Sequence, residues 1–302
     1  MTTNLFLNNR REKFAITDDL VFHMIYGQGT EESKQALIAL LNTVTGEETP
    51  IKDIQILNPI DYRKREDYKQ VEFDIKLKTD AGDLFDVEME KRPDRYFPDR
   101  CVLYITKLCD RALDKGKDYD TMRRVTMVSF VKGRLPKSTD SYHTVFSIKD
   151  ETGRRELSDK MRFHFIEIDK VDETMDISEM TPLERISLYF RYANDPTNEA
   201  LVHRLIDSGE EAIVLAENIF KRLTADDIAY ERMEAREKFI HRYQTDLFLA
   251  REDGVMQGRN EGEASGRAAE KLEMAKALKD KGVDIDIIVE TSGLSREEIE
   301  QL

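Results

Sequence analysis

The 302-residue chain has no tryptophan, two cysteines, seven prolines and no apolar run long enough to cross a bilayer. Each absence removes a class of protein. Without 18 or more consecutive apolar residues nothing spans a membrane as a helix. The opening residues MTTNLFLNNRREKFAITDD lack the apolar centre and cleavage site of a secretory signal, so a cytoplasmic protein is expected. Cys101 and Cys109 are eight apart on a helical pattern, about 12 Å of rise. That is too far for a disulfide, and two cysteines alone make a zinc site improbable. They read as buried apolar residues of a reduced protein. The missing tryptophan and the lack of an aromatic platform also argue against a carboxylate-pair hydrolase acting on sugars. Glycine-rich phosphate loops and Ser-His-Asp signatures are absent too.

The formal charge of −14 looks unsuited to nucleic acid until it is divided along the chain. Residues 1–170 carry 30 Lys and Arg against 31 Asp and Glu, whereas residues 171–302 carry 17 against 30. The acidity therefore belongs to the C-terminal part. In the nearly neutral first part the basic residues cluster, at Arg63, Lys64 and Arg65, and at Lys91, Arg92 and Arg95. Clusters that converge on one face could hold a phosphate backbone; taken singly, each reads as solvated surface.

What is present is a pair of alternating runs, EFDIKLK at 72–78 and DLFDVEMEK at 83–91. Their period of two marks half-buried strands. Phe73, Ile75 and Leu77 share one face of the first, and Phe85, Val87 and Met89 one face of the second. Asp80, Gly82 and Asp83 supply turn chemistry between them, which predicts a hairpin. Pairing brings Asp74 near Glu88 and Glu90. Carboxylates so gathered repel one another unless a cation, usually a hard divalent one, sits between them. An ordinary solvent-facing strand surface fits the same spacing.

Around these runs the patterns predict helices at 18–26, 31–44 and 97–115, and strands at 51–59, 123–133, 142–148 and 162–169. The order α-α-β-β-β-α-β-β-β is an α/β (α+β) mixed sheet flanked by helices. After about residue 173 every pattern is helical. Gly254, Gly258, Gly262 and Gly266 then recur every four residues in charged surroundings. Glycine costs a helix about 1 kcal/mol each, so this part is expected to fray. The chain closes on a small helix-turn-helix-like end, with Gly293 in the turn and Ser295 capping the last helix. The expected domains are 1–172, a helical region 173–250 and a tail 251–302 that drives self-association.

In order along the chain, the motifs resemble the Rpn family of recombination-promoting nucleases, also described as PD-(D/E)XK nuclease family transposases. The opening motif reads Asp19-Leu-Val-Phe22-His23-Met-Ile-Tyr26-Gly27, and the central one is Asp74 followed by Glu88-Met89-Glu90. Arg100 and Tyr104 come next, then Gly116-Lys-Asp-Tyr119, the glycine-spaced tail and a closing Ser-Gly-Leu-Ser-x-Glu-Glu-Ile-Glu. The resemblance implies a PD-(D/E)XK restriction-endonuclease-like fold and a DNA endonuclease dependent on Mg²⁺ or Mn²⁺, associated with mobile DNA. Asp74 and Glu88 would hold the metal, with Asp19 as a supporting group or additional ligand. Glu90 stands where the family has Gln and the wider superfamily often Lys. A carboxylate there cannot stabilise developing negative charge, though it can act as a base or another ligand. Lys91 points to the opposite face, which leaves Lys76 as the better positive candidate. His23 replaces a family lysine and either contacts phosphate or packs, with packing favoured. Arg63, Arg65, Arg92 and Arg100 are the candidate DNA contacts, Arg100 alternatively pairing with Glu90. A second reading is a nuclease fold that no longer cuts and serves as an oligomerising DNA- or protein-binding module.

Overall fold

The structure is a computed structural model that describes residues 10–58 and 74–302. Helices α1 (Asp19–Tyr26) and α2 (Glu31–Thr45) precede the sheet. Thr30 caps α2 by accepting the Ser33 amide, and Gly46 ends it in the left-handed region at φ 57°. Strands β1 (Ile54–Ile56), β2 (Ile75–Thr79) and β3 (Leu84–Glu90) follow, then helix α3 (Phe97–Cys109). Three more strands complete the sheet: β4 (Val125–Val131), β5 (His143–Lys149) and β6 (Glu156–Glu167). Among the described residues the strand order is β1-β2-β3-β4-β6-β5. β3, β4 and β6 are mutually parallel, while β1, β2 and β5 pair antiparallel at the margins.

β4 explains the layering. All seven of its residues are buried, as expected of a central parallel strand covered on both faces. On one face Val128 and Phe130 join Ile75, Leu77, Phe85 and Val87 against α1 and α2. On the other, Val125, Met127 and Val131 meet Phe97, Cys101, Ile105 and Leu108 of α3, the crossover between β3 and β4. The alternation of β3 thus sends Phe85, Val87 and Met89 to the first core. It sends Leu84, and with it Asp86, Glu88 and Glu90, to the α3 side.

Helices α4 (Pro182–Tyr192), α5 (Glu199–Asp207) and α6 (Glu211–Ala225) come next. Leu188, Phe190, Leu205, Ile213 and Phe220 extend the first core, so these helices share it with the sheet. At its side Arg11 donates to both Glu217 carboxylate oxygens at 2.6 and 2.7 Å, and the Tyr189 hydroxyl donates to Glu217 at 2.7 Å. These bonds hold the buried Glu217 carboxyl below the usual carboxylate range against the opposing effect of its burial.

Helix α7 runs unbroken from Asp227–Asp280, through all four spaced glycines. The glycines do not interrupt it. Gly258 and Gly262 sit among Gln257, Arg259, Glu261 and Glu263, and the pairs Gln257–Glu261 at 2.7 Å and Arg259–Glu263 at 3.0 Å bridge successive turns. The chain divides into two compact units, residues 1–237 and 238–302. In the second, α8 (Ile285–Ser292) and α9 (Arg296–Gln301) form a small core of Ala275, Ile288 and Ile299. Gly293 turns between them at φ 68°, and Ser295 forms a reciprocal cap with Glu298. No described helix is long and apolar enough to cross a membrane.

Candidate active site

The β2–β3 ladder pairs Ile75 with Val87 and Lys76 with Asp86. One further step in this antiparallel register sets Asp74 opposite Glu88. Asp74 precedes β2 and is held from the backbone: its carbonyl accepts from Asn58 Nδ2 at 2.9 Å. The same Asn58 accepts the Lys76 amide at 2.8 Å, so one amide side chain brackets the entry to β2. The Asp74 carboxylate, 13 % exposed, is neutralised by the Lys76 ammonium.

Glu88 lies in β3 beside Ser129 of β4. As a residue it is half-buried, yet its Oε2 is sealed from solvent and has no hydrogen-bond partner among the described residues. Burial, followed by the negative charges of Asp86, Glu90 and Asp74, pushes its carboxyl up to about 8, with Arg100 opposing. Arg100 is thus the cation that partly offsets the three neighbouring carboxylates.

Glu90 is tied down. Its Oε2 accepts from Arg100 Nη2 at 3.1 Å and its Oε1 from the Arg92 amide at 2.8 Å. Arg100 also bonds Asp94 at 2.8 Å, which fixes the start of α3 against the end of β3. Lys91, one residue on, pairs with Asp18 on the α1 side of the sheet, as strand alternation requires. Arg92 is exposed nearby.

Asp19 has other company. Its Oδ2 lies 2.6 Å from Arg236 Nη2, and its Oδ1 accepts the Leu20 amide at 2.6 Å. His23, 1 % exposed, has its pKa lowered to about 4 by burial, with the charges of Asp74 and Asp19 working the other way. It packs beneath Gly27, where an added Cβ would sit 2.5 Å from the imidazole Nε2. Position 27 therefore excludes any side chain unless the ring moves.

The structure thus gathers Asp74, Lys76, Glu88, Glu90 and Arg100 around the β2–β3 ends, with Arg92 close by. Asp19 stands apart from them in its partner, Arg236, although its charge and that of Asp74 both act on His23. Among the described residues no group of three or more His, Cys, Asp or Glu is clustered so as to hold an ion. Arg63 and Arg65 lie outside the described residues. Two further residues bear on the site. Asp86, 1 % exposed, is the first-ranked neighbouring charge raising Glu88; its place on that strand face was visible in the alternation, but its burial depends on α3. Arg236 reaches Asp19 from 217 residues away, and no local pattern signals it.

A six-stranded mixed sheet with flanking helices, bearing acidic residues at the head of β2 and along β3, is the PD-(D/E)XK α/β arrangement. The chain belongs to the PD-(D/E)XK nuclease family transposases: that family's model matches residues 16–247. No curated protein and no solved structure matches the chain.

Proposed function

We propose that the chain is a DNA endonuclease dependent on a divalent cation, Mg²⁺ or Mn²⁺, and that Asp74 and Glu88 hold the ion. The observation that carries this is the sealed Glu88 Oε2, without a hydrogen-bond partner among the described residues, on a face also bearing Asp86 and Glu90, with Asp74 opposite. Hard carboxylate oxygens on two facing strands fit such a cation. When bound, it supplies Lewis-acid stabilisation of the scissile phosphate and acidifies water. Lys76 then no longer serves as the counter-charge of Asp74, and its ammonium can meet a phosphate oxygen. Glu90, oriented by Arg100 and the Arg92 amide, is placed to take a proton at its free lone pairs. Arg92, Arg100, Arg63 and Arg65 contact the DNA backbone. Action on mobile or recombining DNA in the cytoplasm follows the family, and the exposed Tyr243, Leu247, Val255 and Met256 of α7 support self-association.

The test is nicking of supercoiled plasmid in Mg²⁺ by wild type, Asp74→Ala and Glu88→Ala. Loss of nicking in both variants supports the proposal; equal nicking in all three overturns it. The second reading, a binding module that no longer cuts, is favoured by one observation. Glu90 stands where the family has Gln, and Arg100 holds its charge beside Glu88. Under that reading wild type binds DNA and does not nick it.

A further inference from the structure

Between β3 and α3 the chain exposes an aromatic ring that the core does not use. Tyr96 is 54 % exposed although it immediately precedes Phe97, which is fully buried. Three contacts fix it. Its amide donates to Asp94 Oδ1 at 2.7 Å, its hydroxyl accepts from Arg95, and the Arg95 guanidinium lies 4.6 Å from the ring centroid. Asp94 in turn bonds Arg100, which bonds Glu90. The ring is therefore one short chain of contacts from the carboxylate strand. Arg92 and Arg95 stand on the same loop, and neither makes an ion pair with a described residue.

A half-exposed ring held in one orientation has already lost the freedom that stacking would cost it. With Arg95 against its face and Arg92 on the same loop, neither ion-paired with a described residue, it suits a ligand with a flat apolar surface and a negative backbone. Bases inside a duplex hide their faces in the stack, whereas single strands offer them. We infer that Tyr96, braced by Arg95, stacks an unpaired base and thereby directs this site to single-stranded DNA or to unpaired segments beside a duplex. The inference rests on the proposed nuclease reading and narrows its substrate.

The experiment uses the full chain in Ca²⁺ with labelled single-stranded and blunt duplex oligonucleotides of one length, each also carrying 2-aminopurine. Wild type binds the single strand more tightly and quenches the 2-aminopurine by stacking. Tyr96→Phe keeps both properties. Tyr96→Ala weakens single-strand binding by about tenfold, abolishes the quench and leaves duplex binding unchanged, which also shows that the variant is folded. Equal binding of both substrates by wild type, or a quench that survives Tyr96→Ala, overturns the inference. If nicking still requires Asp74 in that case, the nuclease reading stands. If nicking survives Asp74→Ala, that reading falls whatever Tyr96 does.

Discussion

Arg100 Nη2 stands 3.1 Å from Glu90 Oε2, so the last carboxylate of β3 is held by a cation of the following helix. The pair sits at the edge of the site, with the Arg100 side chain 35 % exposed and that of Glu90 17 %. It also links two effects on Glu88: Glu90 raises its pKa and Arg100 lowers it.

Glu90→Gln keeps an acceptor for the Arg92 amide and removes one negative neighbour of Glu88. It should lower the Glu88 pKa and preserve nicking, with rates within about tenfold of wild type for an auxiliary base. Arg100→Ala has the opposite sign, since it removes a cation that opposes the shift. Plasmid nicking measured from pH 6 to 9 separates them: the acid limb moves down for Glu90→Gln and up for Arg100→Ala.

The raised carboxyl of Glu88 makes the metal-free protein sensitive to pH. The folded value of about 8 exceeds the ordinary 4.5, so the native state holds a proton that the unfolded chain has released. This contribution is fully present below about pH 4.5 and is lost as pH rises towards 8. Melting temperatures of Glu88→Gln in EDTA should show a shallower fall than wild type across that window. Parallel curves for the two proteins would contradict the assignment.

Asp19 discriminates between a metal ligand and a structural partner. Its ion pair with Arg236 predicts that Asp19→Ala costs about 1 kcal/mol of stability, because the pair is partly exposed. Mn²⁺ affinity should stay within about twofold. A tenfold loss of affinity would return Asp19 to the metal ligands.

The glycines of α7 meet nothing within 4 Å where a Cβ would be added. Replacing Gly254, Gly258, Gly262 and Gly266 by Ala should stabilise the helix by roughly 0.5–1 kcal/mol each. If self-association uses close approach at these positions, the same four methyl groups should lower the mass measured by light scattering. Unchanged mass would count against a glycine-lined contact.

The element order and the site's two strands were legible because alternation survives in both runs: Ile75, Leu77, Phe85 and Val87 face one core as read. The continuity of α7 was not legible. Glycine propensity pointed to fraying, whereas the helix runs on through all four glycines with the Gln257–Glu261 and Arg259–Glu263 pairs across its turns. Nor could sequence reveal that Asp19 answers to Arg236, that Arg11 answers to Glu217, or that Asp86 is buried under α3. These depend on tertiary packing between segments up to 217 residues apart.

The central claim is that Asp74 and Glu88 share one divalent ion. Calorimetric titration with Mn²⁺ near pH 8, comparing wild type, Asp74→Asn and Glu88→Gln, tests it most directly. The account predicts one site in wild type and its loss in both variants. Undiminished binding in either variant, or no binding by wild type, would contradict it.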